Sequence, residues 1–361
     1  MASAEQIEDT LKTIEDPYMG KNFVAAKSVK DIKVDGGKVS IDIELGYPAK
    51  SIIEDLAAMI GEPVSKLEGV ESVDVNIGWK IQAHSVQKSL KPMENIKNVI
   101  AVASGKGGVG KSTTAVNLAL ALSAEGAMVG ILDADIYGPS QPRMLGVSGQ
   151  PESVDGKTLE PMQGHGIQAM SIGFLIDEET PMIWRGPMVT QALEQLLNDT
   201  QWRNLDYLVV DLPPGTGDVQ LTLAQKIPVS GAVIITTPQD IALLDARKGL
   251  KMFEKVEVPV LGVVENMSIH ICSQCGHEEP IFGSGGGEKM ASEYDVDLLG
   301  QLPLDINIRK QVDGGEPTVN AMPDSRITEI YKDIARKAAA KLAVTGKDYS
   351  AKFPKIVIQN T

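Results

Sequence analysis

Residues 105–113 of this 361-residue chain read GKGGVGKST, after an apolar run (NVIAVAS, 98–104) and before a helical run (TTAVNLALALSAEG, 113–126). Glycines let a backbone wrap an anion with its N–H groups pointing inward, and the positive end of the following helix adds to the attraction. Lys111 can reach the β- and γ-phosphates of a nucleotide, and Ser112 can coordinate Mg²⁺. The predicted phosphate loop contains Gly105, Lys106, Gly107, Gly108, Val109, Gly110, Lys111, Ser112 and Thr113.

The loop carries a second lysine, Lys106, five residues before Lys111. In this it resembles the two-lysine loop of the MinD-like ATPases. The resemblance implies that Lys106 crosses a dimer interface and contacts the nucleotide of the other subunit. A cation supplied in this way would stabilise charge that develops on the phosphate, as an arginine finger does elsewhere. The alternative is an ordinary solvated surface lysine.

Acidic residues end two further apolar runs, ILDAD at 131–135 and DYLVVD at 206–211. Ligands of open α/β sheets gather at the carboxyl ends of the strands. We therefore expect Asp133 and Asp135 to serve in water activation or Mg²⁺ contacts, and Asp211 to face Mg²⁺ through water. In the loop after Asp211, the Gly215 N–H is expected to sense the γ-phosphate. The alternative is that these aspartates only cap strands and helix starts.

The two cysteines of the chain, Cys272 and Cys275, form a CxxC motif whose thiolates can hold one metal ion or cluster. One motif supplies two ligands, whereas a closed zinc or [4Fe–4S] site takes four, and a two-fold dimer would bring two motifs together. The favoured interpretation is a cluster bridged between subunits. Zinc between subunits, with His270 and His277 as extra ligands, and a disulfide or inert thiol pair remain open.

Together with TTPQD at 236–240 and ENMS at 265–268, these motifs follow the order found in the Mrp/ApbC-type iron–sulfur cluster carrier ATPases, which are relatives of MinD and of the nitrogenase iron protein. The resemblance covers residues 98–342. It implies an ATP-hydrolysing, Mg²⁺-dependent homodimer that holds a [4Fe–4S] cluster between its subunits. The cluster would come from an iron–sulfur assembly scaffold and pass to apo-proteins.

The same resemblance implies that Asn266 lies beside the adenine base; the alternative is a turn residue after a strand. The segment WRGP (184–187) also occurs in the family, as a dimer-contact or switch-coupling loop or as simple packing. An electron donor of the nitrogenase-iron-protein type remains an alternative function, because it too couples a nucleotide switch to a cluster at a dimer interface.

A compact segment precedes the phosphate loop. Ser3 and Gln6 form a capping box on a first helix, and residues 29–45 predict a hairpin, with strict apolar alternation in its second strand. Ser51 is expected to cap a second helix that ends near Gly61, and residues 73–77 alternate as a third strand. The segment resembles the small domain fused to bacterial Mrp-type proteins, but it lacks the cysteine that many such domains carry. That leaves a docking or regulatory role, or a passive folding unit.

The predicted division is a small α+β domain at 1–83, a polar linker at 84–97, an ATPase domain at 98–345 and a tail at 346–361. The fold class expected for the ATPase domain is α/β, of the P-loop NTPase type, with a mostly parallel sheet flanked by helices.

The formal net charge of −14 argues against a nucleic-acid partner and hence against a ParA-like DNA segregation ATPase. No apolar run reaches membrane-spanning length, and the acidic start lacks the apolar core of a signal peptide. Pro354 in the tail disfavours the basic amphipathic anchor of a MinD-like positioning ATPase. Two thiols without an export signal predict a reducing, cytoplasmic location.

Overall fold

In the computed structural model, the residues described are 2–84, 87, 90–176, 186–272 and 274–350, with 345–350 described by backbone alone. Elements of the N-terminal segment are α1 Ala4–Leu11, β1 Glu15–Asp16, β2 Lys21–Asn22, β3 Val29–Asp35, β4 Lys38–Leu45, α2 Ile53–Ser65 and β5 Ser72–Trp79. The predicted hairpin is confirmed as the antiparallel pair β3–β4, and β5 joins β4 in parallel. The capping box of α1 is also confirmed, with the Gln6 N–H donating to Ser3 Oγ at 3.2 Å.

Helix α2 differs from its prediction at both ends. Ser51 does not cap it, because the Ser51 N–H and hydroxyl both donate to the carboxylate of Glu125. The helix also continues past Gly61 to Ser65. A Cβ at Gly61 would lie 3.5 Å from the Val75 side chain, an ordinary packing distance, so Gly61 lies inside the helix against β5 and does not end it.

Among the described residues, the large sheet has eight strands in the order β15-β12-β11-β6-β10-β7-β9-β8. Its strands are β6 Ile96–Ser104, β7 Val129–Asp133, β8 Met162–Gly164, β9 Ile167–Ser171, β10 Leu205–Asp211, β11 Gly231–Thr236, β12 Val260–Glu265 and β15 Leu298–Gln301. All neighbouring pairs are parallel except β8–β9. The central strands are buried on both faces, which explains their continuous apolar sequences. The predicted mostly parallel sheet is confirmed.

Helices cover this sheet. They are α3 Lys111–Ala124, α4 Gln141–Met144, α5 Gly186–Asp199, α6 Asp218–Lys226, α7 Asp240–Lys255, α8 Gly286–Glu293, α9 Ile306–Asp313, α10 Thr318–Ala321 and α11 Arg326–Ser350. A separate two-stranded hairpin consists of β13 His270–Ile271 and β14 Glu278–Glu279. Helix α3 packs between the sheet and α11, and nearly all of its side chains are buried. Helix α11 extends into the segment that the sequence analysis assigned to a tail, and Pro354 lies outside the described residues.

The segment predicted as a linker is attached to the ATPase domain at several points. Strand β6 already begins at Ile96, and the buried Gln87 side chain donates to the carbonyl of Ala224 at 2.7 Å. The Asn98 amide oxygen accepts from the His84 N–H at 3.2 Å. Within the described residues, none of the helices is both long enough and apolar enough to cross a bilayer.

Candidate nucleotide and metal-binding sites

The phosphate loop has the predicted strand–loop–helix form, since it follows β6 and its last glycine, Gly110, directly precedes α3. Gly108 and Gly110 have φ values of +83° and +84°, a region that glycine adopts at little cost. Gly105 serves a different purpose. A Cβ there would lie 2.1 Å from the backbone carbon of Asp245, so Gly105 lets helix α7 pack directly against the start of the loop.

Lys111 and Asp211 form a buried ion pair at the carboxyl end of the sheet, with side chains that are 6% and 0% exposed. The Lys111 ammonium also lies 3.2 Å from Ser112 Oγ. The other oxygen of Asp211 accepts from Gln141 Nε2 at 2.9 Å, and the same Nε2 lies 3.1 Å from the Ser112 carbonyl. The structure thus brings together three predicted residues and one that the sequence did not indicate, Gln141.

Asp133 is fully buried and holds the turn into α4. Its Oδ2 accepts hydrogen bonds from the Ser140 and Gln141 N–H groups at 2.9 and 3.0 Å and from the Ser171 hydroxyl at 3.1 Å. Burial, helped by the nearby charge of Asp211, raises the pKa of Asp133 to about 7. These contacts indicate that Asp133 positions the residues at the start of α4 and does not itself touch the ligand.

Asp135 lies closer to open space. It lines a cleft of about 300 Å³ whose other walls are Tyr137, Pro213, Pro214, Gly217, Asp218, Val219 and Gln220. Burial raises the pKa of Asp135, and the charge of Lys111 works in the opposite direction. A carboxylate in this position, beside the loop after Asp211, can act on a water molecule near the phosphates.

Gly215, whose N–H is predicted to sense the γ-phosphate, has a protein partner in this structure. Its N–H donates to the Ser104 carbonyl at 3.0 Å, and its φ is +103°. In this structure the bond ties the loop after β10 to the end of β6. A γ-phosphate can therefore receive this N–H only if the loop first releases Ser104.

Asn266 is attached to the phosphate loop itself. Its Nδ2 donates to the Val109 carbonyl at 2.9 Å, and its Oδ1 accepts from the Met267 N–H at 2.9 Å. A Cβ at Gly110 would lie 2.2 Å from Asn266 Nδ2, so the glycine makes this contact feasible. The adenine contact stays a prediction. Lys106 is half-buried in the same loop, and its carbonyl accepts from the Ser104 hydroxyl at 2.9 Å.

The donor set at this site suits Mg²⁺, which prefers oxygen ligands and retains several waters. Ser112 Oγ and the Asp211 carboxylate both contact the Lys111 ammonium and therefore lie near each other. Two more oxygens, Ser140 Oγ and Gln141 Oε1, lie at the start of α4. Both are buried and lack a hydrogen-bond partner among the residues described here. Buried polar atoms are normally satisfied by protein, ion or water, so these residues fit a hydrated cation.

The CxxC motif occupies the tip of the β13–β14 hairpin. The Cys272 N–H donates to the His277 carbonyl at 2.9 Å, and the Gly276 N–H donates back to the Cys272 carbonyl at 2.8 Å. Both thiols are free, and Cys275 is exposed. The N–H groups of Gln274 and Cys275 lower the pKa of the Cys272 thiol, with a further contribution from the Cys275 side chain. A lowered pKa favours the thiolate, which is the form that binds metals.

The histidines near this motif are placed differently. His270 Nδ1 lies 3.3 Å from the Leu304 carbonyl, and His277 contributes its backbone carbonyl to the hairpin. Across the described ranges, no third His, Cys, Asp or Glu joins the cysteines to form a metal-binding group. Of the predicted WRGP segment, Trp184 and Arg185 lie outside these ranges.

Two buried polar residues at the carboxyl end of the sheet were not predicted from sequence. Gln141 follows the GPS turn, but no motif distinguishes it from an ordinary first residue of a helix. Glu265 is fully buried and accepts from the Gly287 N–H and from Gln301 Nε2. It thereby holds the first turn of α8, which begins at Gly286.

This arrangement defines the class of the protein. The class is a P-loop NTPase, because three of its features are present. These are a parallel sheet, a glycine loop between a central strand and a helix, and a lysine of that loop paired with the aspartate that ends the adjacent strand of the sheet, β10.

Comparisons with known proteins narrow the class. Residues 95–339 match a family described as NUBPL iron-transfer P-loop NTPase, and residues 4–77 match a family described as iron–sulfur cluster assembly protein. The chain therefore belongs to the NUBPL-type iron-transfer P-loop NTPases.

Individual relatives agree. An iron–sulfur cluster carrier protein of Escherichia coli K12 is 50% identical over 342 residues, which are 94% of this chain and 93% of the relative. The mouse iron–sulfur cluster transfer protein NUBPL is 54% identical over 254 residues, covering 70% and 80%. A solved nucleotide-binding protein from Archaeoglobus fulgidus, in complex with ADP, superposes with a TM-score of 0.54 at 38% identity, covering 62% and 88%.

Proposed function

We propose that this protein is an ATP-dependent iron–sulfur cluster carrier. Its cargo, a [4Fe–4S] cluster, is held by Cys272 and Cys275 and delivered to apo-proteins. The observation that carries this proposal is the pair of free thiols at a hairpin tip on a P-loop NTPase. The E. coli and mouse relatives, an iron–sulfur cluster carrier protein and an iron–sulfur cluster transfer protein, support the same cargo.

At the nucleotide site, we assign each residue a role in binding or hydrolysing ATP. Lys111 binds the β- and γ-phosphates. Ser112 would coordinate Mg²⁺ and Asp211 would face it through water, and the ion would neutralise phosphate charge. Asp135 orients the attacking water, and Lys106 approaches the nucleotide of the partner subunit. The bound ADP of the Archaeoglobus fulgidus structure supports a nucleotide in this loop.

The two sites are joined by a short stretch of chain. Asn266 donates to the Val109 carbonyl within the phosphate loop, and the chain runs from there through β13 to Cys272. A rearrangement of the loop on nucleotide exchange would change this hydrogen bond. We infer that this segment carries the nucleotide state to the cysteine hairpin.

A homodimer completes the cluster site. Each chain offers two thiolates and a [4Fe–4S] cluster takes four, so two hairpins facing each other across a two-fold axis provide the full set. An assembly scaffold is the expected donor of the cluster, and apo iron–sulfur proteins are the expected recipients.

The test is anaerobic transfer. The protein is reconstituted with iron and sulfide, freed of excess reagents, and mixed with an apo-enzyme that needs a [4Fe–4S] cluster for activity. We expect the acceptor to gain activity while the carrier loses its visible absorbance, at a rate that changes with ATP. An acceptor that is reduced while the carrier keeps its full cluster content would indicate an electron donor instead.

A further inference from the structure

Gln141, the first residue of α4, has an uncharged side chain that bonds two different elements of the nucleotide site. It is only 1% exposed. Its Nε2 donates to Asp211 Oδ2 at 2.9 Å and to the Ser112 carbonyl at 3.1 Å. Its own N–H donates to Asp133 Oδ2 at 3.0 Å. One residue thus joins the phosphate-loop helix to the ends of both β7 and β10.

The Asp211 carboxylate has two partners, and one of them is expected to change when a nucleotide binds. Lys111 holds one oxygen and Gln141 the other. Lys111 is also the residue that reaches the β- and γ-phosphates in this class of loop. If its ammonium turns to a phosphate, Asp211 loses that partner and keeps the hydrogen bond from Gln141. Gln141 is therefore placed to hold the carboxylate when a nucleotide binds.

The other end of the Gln141 amide points to a ligand. Gln141 Oε1 is buried and has no hydrogen-bond partner in the described part of the chain. Two of its neighbours, Ser112 and Asp211, are the residues that fit Mg²⁺. A magnesium ion in an NTP site keeps several waters, and each of these waters donates hydrogen bonds to oxygen acceptors around it.

We propose that Gln141 is a positioning residue of the Mg²⁺–nucleotide site: its amide N–H orients Asp211, and its Oε1 accepts a hydrogen bond from a water bound to Mg²⁺. The proposal rests on the nucleotide-binding part of the proposed function and is independent of the cluster. It predicts that Gln141 contributes to nucleotide affinity only when Mg²⁺ is present.

The experiment measures ADP binding to the full-length protein by calorimetry, once with Mg²⁺ and once with EDTA. In the Gln141→Met variant, which keeps the length of the side chain and removes both polar atoms, we expect ADP affinity to fall about tenfold with Mg²⁺, as for a lost hydrogen bond to a charged group. With EDTA it should stay within about twofold of the wild-type value. Mn²⁺ binding to the ADP complex, followed by its EPR signal, should weaken in parallel.

A matched control is Gln168→Met. Gln168 is also buried, but its amide bonds the backbone of Arg203, away from the site. Its Nε2 donates to the Arg203 carbonyl and its Oε1 accepts from the Arg203 N–H, each at 2.9 Å. This variant is expected to show the wild-type ratio of affinities with and without Mg²⁺. If Gln141→Met does not fold, Gln141→Asn, which draws the amide back by one methylene, takes its place with the same expectation.

Equal loss of ADP affinity with Mg²⁺ and with EDTA, or no loss in either, overturns the role assigned to Gln141. Wild-type protein that binds no ADP under either condition overturns the nucleotide site itself, and this proposal with it. The two failures are distinct because the second is seen before any variant is made.

Discussion

Arg336 of α11 and Glu125 at the end of α3 form a buried ion pair, with 2.9 Å between Nη1 and Oε1 and side chains that are 3% and 0% exposed. Glu329 of α11 bonds Arg336 Nη2 at 2.6 Å, and the N-terminal domain supplies further bonds. Tyr18 accepts from Arg336 Nε at 2.9 Å, and the Ser51 hydroxyl contacts both charged groups. Because α3 begins at the phosphate loop, the small domain is docked on the far end of the helix that carries that loop.

Breaking this pair should be costly. Arg336→Met leaves the Glu125 carboxylate buried without its counter-charge, so we expect the free energy of unfolding to fall by about 3–5 kcal/mol. Urea denaturation followed by circular dichroism measures the change. Lys337→Met, one residue along the same helix, removes a half-exposed ion pair with Asp333 and should cost about 1 kcal/mol or less. Similar losses in the two variants would contradict a buried network.

Deletion of residues 1–90 tests whether the small domain is needed for either ligand. The large sheet begins at Ile96, and the phosphate loop and both cysteines lie beyond it, so the remaining chain should still bind ADP and take up a cluster. Its melting temperature should fall, because the deletion exposes Arg336 and Glu125 and removes the Trp79 ring that packs against Gly126. The measurements are thermal unfolding, ADP calorimetry and iron content. A well-folded truncated chain that takes up no cluster would place the small domain in the cluster site.

The local features of the fold could be predicted from the sequence. The hairpin of β3 and β4, the capping box at Ser3 and the strand–loop–helix around Lys111 each depend on residues that are neighbours in the chain. Apolar runs that end in Asp133 and Asp211 indicated two buried strands and the edge of the sheet where ligands bind.

What the sequence could not show depends on contacts between distant residues. Ser51 has the sequence of a helix cap, but its hydroxyl is taken by Glu125, 74 residues away. Gly105 belongs to the glycine-rich motif, yet its lack of a side chain is required by the backbone of Asp245 in helix α7. The partner of Gln141 is Asp211, 70 residues further along, and no local pattern reports such a pair.

The ion pair of Lys111 and Asp211 makes a prediction about stability as well as activity. Lys111→Ala should abolish ATP hydrolysis, and it should also cost about 3 kcal/mol of unfolding free energy, because Asp211 would be left charged and buried. Adding Asp211→Asn to that variant removes the unpaired charge, so stability should recover while hydrolysis stays absent. Urea denaturation and a phosphate-release assay follow the two properties. Hydrolysis at the wild-type rate in Lys111→Ala would rule out the phosphate loop as the catalytic site.

Lys106 is expected to act across the dimer, and mixing variants can show it. Lys106→Ala should retain ADP affinity and lose most of its hydrolysis rate, and Lys111→Ala should lack hydrolysis. In a mixed dimer, the subunit with intact Lys111 receives Lys106 from the other chain. An equal mixture should therefore recover about a quarter of the wild-type rate, since half of the dimers are mixed and each has one complete site. A mixture as inactive as its components would place Lys106 within its own subunit's site.

The cysteines should bind one cluster per two chains. Because each chain contributes two thiolates and a [4Fe–4S] cluster takes four, anaerobic reconstitution should give about two irons per chain in a dimeric sample. Cys272→Ser or Cys275→Ser should lose the visible absorbance of the cluster and retain ADP binding, because both cysteines lie in the β13–β14 hairpin while the phosphate loop follows β6. Ser268→Ala, in the same segment but bonded to the Leu302 carbonyl at 3.0 Å, is the control and should keep its iron. Iron and protein quantitation with light scattering gives the ratio, and about four irons per chain in a monomeric sample would refute a cluster shared between subunits.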